Sequence, residues 1–439
     1  MKIKSNVKLY FSIHERREPM LDKINNRKLS ITVIGMGYIG LPTAITFANA
    51  GFSVKGFDIN NEVIKMLKNG KVHIVEPDLQ EAFEEAINLG NLVPTNELDK
   101  SDVFIICVPT PFKENENKKI ADLSYVESAA KMISEYIEKG NLVILESTVP
   151  PMTTEEIMGK IIEENSGLKL NEDFYVVHCP ERVLPGKILY ELRNNDRIIG
   201  ASNNYSAEVT KKLYETILDK GKVYITGTRT AEMCKLVENT YRDINIAFAN
   251  ELSIIADKMD INVFELIELA NKHPRVNILK PGAGVGGHCL AVDPWFIVEK
   301  FPQEARLIKT AREINDFKPE WIVKKIEEEA EHDKSKVIGI LGLSYKPNID
   351  DLRESPSLKI AKILKSKGYN VLGCEPYIEK KEVDSIENLP LNEIVEKADL
   401  LVLTLAHNQF MENLELFKNK KVLDVIGAFY FENKGADKK

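Results

Sequence analysis

Between residues 29 and 228 short apolar runs alternate with longer stretches of helical periodicity. Leu29–Ile34 is an apolar, β-branched run, the pattern of a strand buried on both faces. Similar runs at Phe52–Asp58, Val103–Val108, Leu142–Glu146, Tyr175–His178 and Arg197–Gly200 predict further strands. Helical spacing fills the gaps, as over Leu123–Lys139, and this alternation predicts a doubly wound parallel sheet. The pattern then changes. Thr230–Met259 predicts one helix of about 30 residues, roughly 45 Å long. Ala305–Asn315 and Pro319–His332 predict a second long pair, with Pro319 as the kink or break. Helices this long need a second surface to bury their apolar stripes, so a homodimer or higher homo-oligomer is expected. From Lys336 strands return at Val337–Leu341, Val371–Cys374, Leu400–Leu405 and Val422–Val425. Among them lies a helix with Ser355 as N-cap, Pro356 at its first position and Gly368 closing it.

The expected fold is therefore α/β, with two Rossmann-like doubly wound domains joined by a long-helix connector. The boundaries expected are an N-terminal extension over 1–28, a first domain over 29–228, a helical region over 229–333 and a second domain over 334–439. The extension carries eight Lys and Arg against three Asp and Glu, and it reads as a solvated tail or an added edge strand.

Composition narrows the function. Hydrophobic residues at 44% and charged residues at 29% are ordinary for a globular chain, and no apolar run spans a bilayer. A cytoplasmic enzyme without a membrane partner is expected. The net charge of −8 argues against nucleic acid as partner. Five scattered cysteines suggest neither a disulfide framework nor a metal site, so no metal is expected. Cys107, Cys234 and Cys374 read as small buried hydrophobes.

Candidate chemistry starts at Gly35-Met36-Gly37-Tyr38-Ile39-Gly40, directly after the first strand. Gly35 permits the tight turn, Gly37 lets backbone approach a pyrophosphate, and Gly40 allows close helix–strand packing. Asp58, ending the second strand, can accept hydrogen bonds from ribose hydroxyls and repels a 2′-phosphate, so NAD is the expected cofactor. A second motif, Pro281 to Asp293, has four glycines in six residues. No packing need for them is evident, so the loop reads as one that approaches a ligand and presents Cys289 as a reactive thiolate, with Asp293 four residues on. His288 reads as structural. Lys235 and Asn239 share a face of the long helix. Glu146–Pro150 and His178–Arg182 sit at strand carboxyl ends, where α/β sheets bind ligands. For these last three the structural and functional readings both stand.

Taken together, these segments resemble the UDP-glucose/GDP-mannose dehydrogenase family from about residue 30 to 430. The resemblance is carried by His73–Leu79, Val108–Lys113, Cys179–Gly186, Arg229–Lys235, His273–Asn277, Gly284–Phe296 and Lys346–Pro356. The ending Ala291–Phe296 resembles the branch that acts on UDP-linked N-acetylmannosamine. The basic extension lies outside the family pattern, and Ala283 stands where relatives often carry Pro. The resemblance implies a UDP-sugar substrate oxidised at C6 to the carboxylate, a four-electron reaction consuming two NAD. It implies Cys289 as nucleophile, Lys235, Asn239 and Asp293 as oxyanion and water-positioning groups, Glu181 as the carboxylate of thioester hydrolysis, with Asp293 as the alternative base for that water, and Thr148 beside the water. By the same resemblance Tyr38, Ile39, Thr110, Thr148 and Arg353 join the cofactor site. Arg182, Val183 and Gly286 join the substrate site with Glu181, Lys235, Asn239 and Lys346, and Arg275 reaches the partner subunit's sugar nucleotide. Rival readings are another nucleotide sugar (UDP-N-acetylglucosamine, UDP-glucose, GDP-mannose), a two-electron dehydrogenase of the 6-phosphogluconate type, and a non-enzymatic NAD-sensing or scaffold protein.

Overall fold

The computed structural model describes residues 18–115, 118–287 and 289–436. The first 17 residues of the basic extension, and His288, lie outside the described residues. The chain divides into two compact units, one ending at Leu236 and the other beginning at Val237.

The first unit is built on an eight-stranded sheet. Its strands are β1 (Ser30–Ile34), β2 (Ser53–Phe57), β3 (Leu92–Thr95), β4 (Val103–Ile106), β7 (Leu142–Leu145), β8 (Tyr175–His178), β9 (Arg197–Ala201) and β10 (Val223–Thr226), in spatial order β10-β9-β8-β7-β4-β1-β2-β3. A separate hairpin pairs β5 (Phe112–Asn115) with β6 (Lys118–Ala121). Alternate residues of the central strands feed opposite faces. Val103 and Ile105 join the core that holds Ile31 and Val33, while Phe104 and Ile106 join the one that holds Ile34 and Val143. That two-residue period, with both faces covered, is why β4 and β7 are apolar throughout. Strand order reverses between β1 and β4, which puts the switch-point crevice at their carboxyl ends.

Three expectations need correction in this unit. The sheet is not wholly parallel, because β8 and β9 run antiparallel, with Val177 opposite Ala201 and His178 opposite Gly200. The described part of the extension is neither a tail nor a strand. It is a helix, Glu18–Asn25, that buries Met20 and Ile24 in the main core, so these apolar side chains outweigh the basic character of the segment. The helix expected over Leu123–Lys139 ends at Ser134. The short strands β3 and β10 lie at the two edges of the sheet and are additions to the expected set; β3 includes Pro94, which an edge tolerates.

The long helix, Thr228–Lys258, runs 31 residues and contributes most of its length to the second unit. Its companion, Arg306–Glu329, is one continuous helix that passes through Pro319 without a break. Proline removes one backbone donor, but Ala311, Asn315, Lys318, Ile322, Val323 and Ile326 are buried around it, so packing carries the helix through. The sheet of this unit comprises β11 (Val337–Leu341), β12 (Asn370–Cys374), β13 (Glu382–Val383), β14 (Ile386–Asn388), β15 (Leu400–Leu403) and β16 (Lys421–Asp424), in order β13-β14-β12-β11-β15-β16. Only β13–β14 is antiparallel. Ser355 caps the helix Pro356–Ser366 by accepting from the Leu358 amide, and Gly368 follows its end with φ +87°. Among the described residues no helix is long and apolar enough to cross a membrane.

Candidate active site

In the first unit the glycine turn leaves β1 at the switch point. Gly35 adopts φ +92°, and a Cβ there would lie 2.6 Å from the Cys107 carbonyl oxygen. A Cβ on Gly40 would come within 1.7 Å of the Gly35 carbonyl oxygen, whereas around Gly37 there is open space. Two glycines are thus required by packing and the third leaves room for a ligand, with Tyr38 exposed beside it and Ile39 entering the helix. The Asp58 carboxylate is anchored by this turn: it accepts from the Met36 amide and the Asn60 amide, each at 2.8 Å. His73 lies beside the same pair. Burial lowers its pKa against the pull of the Asp58 charge and a hydrogen bond to the Met36 backbone, and its Nδ1 is buried without a partner. The Thr110 hydroxyl donates to the Thr148 carbonyl oxygen at 2.5 Å, which brings together the segments that follow β4 and β7.

Glu181 follows β8 and is contacted at both oxygens, by a hydrogen bond at Oε1 and by an ion pair at Oε2. Oε1 accepts from the Arg182 amide at 2.6 Å, and Oε2 lies 2.8 Å from the Arg197 guanidinium, with both side chains of the ion pair buried. The same guanidinium nitrogen is 3.6 Å from Glu146, which accepts a 2.6 Å hydrogen bond from the Tyr214 hydroxyl. Burial raises the Glu146 pKa, and the Arg197 charge opposes that shift. Burial also pushes the Cys179 thiol up to about 12, which makes it inert at neutral pH. Arg182 and Val183 lie half-buried in the following loop. That loop is tied down by Glu76, whose carboxylate accepts from the Gly186 and Ile188 amides at 2.8 and 2.7 Å. Lys235 sits half-buried on the long helix, near the end of this unit.

In the second unit a buried polar ladder runs along the long helix. Asn239 donates to Asp293 at 2.5 Å, and the Asp293 amide donates to the Cys289 carbonyl at 2.8 Å. One turn on, Asp243 accepts from Arg312 at 2.5 Å and from Asn315 at 2.8 Å. Arg312, wholly buried, also reaches the Leu290 carbonyl at 3.5 Å. Asn250 donates to Asn315 at 2.9 Å and accepts from the Gly282 amide at 3.0 Å. The loop that carries Cys289 is thus pinned near its two ends, at Gly282 and at Leu290. Lys318 donates to Ser253 at 2.6 Å, and burial pushes its amine down to about 7.

Two of the four glycines of this loop, Gly286 and Gly287, answer a packing need, which corrects the expectation for them, whereas around Gly282 there is open space. A Cβ on Gly286 would meet the Glu354 carbonyl oxygen at 2.5 Å, and one on Gly287 would meet the Tyr345 ring at 2.8 Å. The loop lies directly against the segment 345–356, and the Gly287 amide donates to the Arg353 carbonyl at 3.0 Å. Cys289 is half-buried and within electrostatic reach of Tyr345 and Arg353. Arg353 is braced by Asp351 through two of its nitrogens, at 3.0 and 2.6 Å, and the hydrogen bonding to Asp351 raises its pKa. Lys346 and Arg275 are exposed, the latter in the turn after the helix Val263–Ala270.

Each unit therefore gathers its own subset of the expected residues. The structure adds His73, Glu76, Glu146, Arg197, Asp243, Asn250, Arg312 and Asn315 as their supports. The sequence carries a signal for several of these: Asp243 and Asn250 recur with Asn239 at helical spacing, Glu146 stands at a strand carboxyl end, and His73 and Glu76 fall in a segment that carries the family resemblance.

Three family models match the chain in order: the UDP-glucose/GDP-mannose dehydrogenase NAD binding domain over residues 29–218, the central domain over 229–317 and the UDP binding domain over 339–430. The chain is 48% identical to a UDP-N-acetyl-D-mannosamine dehydrogenase of Campylobacter jejuni, covering 88% of this chain and 97% of that one. It is 46% identical to an NDP-N-acetyl-D-galactosaminuronic acid dehydrogenase of Ralstonia nicotianae, over 91% and 96% of the two chains. The solved structure of a UDP-D-ManNAc dehydrogenase from Pyrococcus horikoshii is similar at a TM-score of 0.83 and 42% identity, covering 91% of this chain and 96% of that one. The chain is a member of the UDP-glucose/GDP-mannose dehydrogenase family.

Proposed function

We propose that the protein oxidises the C6 alcohol of UDP-N-acetyl-D-mannosamine to the carboxylate, in two successive NAD-dependent steps. The observation that carries this reading is the loop carrying Cys289, with its half-buried thiol and an Asp293–Asn239 pair fixed directly after it. The open space at Gly37 and the anchored Asp58 suit a dinucleotide, which when bound accepts a hydride in each oxidation.

The residues divide the rest of the work. Lys235, or a water held by Asp293, takes the proton of the C6 hydroxyl. Cys289 thiolate captures the aldehyde as a thiohemiacetal, which keeps it from escaping and becomes a thioester on the second oxidation. Lys235 and Asn239 stabilise the tetrahedral oxyanions. Glu181 is the base for the hydrolytic water, with Thr148 beside it. Arg182, Val183, Gly286 and Lys346 bind the sugar nucleotide, while Thr110 and Arg353 serve the cofactor.

The assignment of N-acetylmannosamine rests on the relatives that carry that name, and the Ralstonia relative makes the galactosamine-derived substrate the competitor to test. Counting NADH per mole over a panel of nucleotide sugars decides the matter. Two equivalents from UDP-N-acetyl-D-mannosamine, and none from the gluco- or galacto-configured sugars, is the expected result. Cys289→Ser should prevent formation of the acid, and unchanged conversion by that variant would overturn the mechanism.

We also propose a homodimer formed through the long helix. Val237, Tyr241, Phe248 and Ile255 make an exposed apolar stripe along it, continued by Met259 just past its end, with Tyr241 71% exposed. This stripe and the buried polar ladder are two residues out of phase, about 200° around the helix. A second copy of the chain is the occupant this stripe suits, with Arg275 reaching the partner's substrate.

A further inference from the structure

We infer that Arg197 is a positioning residue for the hydrolytic half of the reaction, acting through Glu181. The inference rests on the role proposed above for Glu181. In that half-reaction water adds to the thioester carbonyl carbon and gives up a proton to Glu181. The carbon–sulfur bond then breaks, the Cys289 thiolate leaves, and no electrons change hands.

Strand direction is what brings the two side chains together. In a wholly parallel sheet the first residue of β9 would lie at the amino edge, far from the strand ends where ligands bind. β9 instead runs against β8, with Val177 opposite Ala201 and His178 opposite Gly200. Carried three residues further, that register sets position 181 against position 197, at the carboxyl edge. Arg197 therefore enters the site from the beginning of a strand, and its guanidinium meets Glu181 at 2.8 Å.

The local chemistry fits a device for orientation. Glu181 stands in irregular backbone after Cys179 and Pro180, where no strand or helix fixes its rotamer. Its two oxygens are contacted from two directions, Oε1 by a hydrogen bond from the Arg182 amide and Oε2 by the charge of the Arg197 guanidinium. The guanidinium is in turn fixed by Glu146 at 3.6 Å and by the Tyr214 ring, whose centroid is 4.9 Å away, and Tyr214 is hydrogen-bonded to Glu146. Burying an arginine between two carboxylates costs desolvation that an apolar cluster would avoid. Holding a base on its water is a return that an apolar cluster cannot give.

Single-turnover kinetics on the full-length enzyme test this, with NADH release and acid-quenched acyl-enzyme followed together. In Arg197→Met the first oxidation and the KM for the sugar nucleotide should be unchanged, while thioester hydrolysis slows about 100-fold and acyl-enzyme accumulates. Arg197→Lys, which keeps the charge and loses the planar fork, should fall between the two. A folded Arg197→Met enzyme that hydrolyses at the wild-type rate overturns the inference. Where the Met variant does not fold, the Lys variant decides, and wild-type hydrolysis by it is equally fatal. Glu181→Gln measured alongside separates the two levels. Normal hydrolysis by Glu181→Gln sinks the role proposed for Glu181, whereas slow Glu181→Gln beside normal Arg197→Met sinks only the present inference.

Discussion

The Asn239 side-chain amide donates to the Asp293 carboxylate at 2.5 Å, where the two residues are 9% and 3% exposed. A carboxylate so buried needs its donors, because unpaired charge in a low-dielectric site is expensive. This contact also joins the long helix to the helix that begins at Asp293, four residues after Cys289. Asn239→Ala should lower kcat by about 100-fold or more, the scale of losing one oxyanion donor, and should lower the melting temperature as well. Steady-state kinetics and calorimetry on the same preparation check both effects. A variant with wild-type kcat would remove Asn239 from the catalytic set.

The first glycine turn offers a contrast between two substitutions three residues apart. A Cβ on Gly40 collides with backbone at 1.7 Å, so Gly40→Ala should destabilise the first unit and abolish NAD binding together. Gly37 faces open space, so Gly37→Ala should leave the melting temperature unchanged and weaken only the affinity for NAD. Thermal melts and NAD titrations of the two variants decide it. An unchanged NAD affinity in Gly37→Ala would mean that no pyrophosphate approaches there.

His178 gives the protein an acid-sensitive element. Burial lowers its pKa from 6.5 to about 3, and its Nδ1 lies 3.3 Å from the Thr154 hydroxyl. Between those values the unfolded chain binds a proton that the folded chain does not. The contribution is therefore present above pH 6.5 and lost on acidification toward pH 3, at a slope of about 1.4 kcal/mol per pH unit. Urea unfolding of wild type and His178→Gln at pH 7 and pH 5 measures it. The variant should depend less steeply on pH by one proton, and parallel curves would refute the assignment.

The apolar stripe of the long helix makes a prediction about assembly. Wild-type protein should sediment as a dimer, and Phe248→Glu should shift it toward monomer, because a charge placed inside an apolar interface is left unpaired. Analytical ultracentrifugation over a concentration series gives the answer. A wild-type monomer would mean that the stripe has some other partner.

Features that depend on near neighbours in the sequence were legible there. The Gly35–Gly40 turn, the Ser355 cap and the central strands are fixed by residues a few positions apart, and each appears where the pattern put it. Arg197 was not legible as part of a site. Its position depends on the direction in which β9 pairs, and the apolar run Arg197–Gly200 reads the same in either direction. In sequence Gly286 and Gly287 signal conformational freedom alone, because the packing that demands them comes from Tyr345 and Glu354, some 60 residues away. Pro319 does not break its helix, since intrinsic propensity yields to burial on both sides of it.

The polar ladder also has a consequence for engineering with relatives. Asp243 and Asn250 on one helix, Arg312 and Asn315 on another, and the backbone of Gly282 and Leu290 between them form a single connected set, and Asn239 holds Asp293 one turn before it. Substitutions inside such a set are strongly non-additive. A chimera that grafts only the cysteine loop from a homologue would inherit mismatched anchors at both ends. Swaps of substrate preference are therefore best cut outside residues 237–329, so that the loop travels with both of its helices.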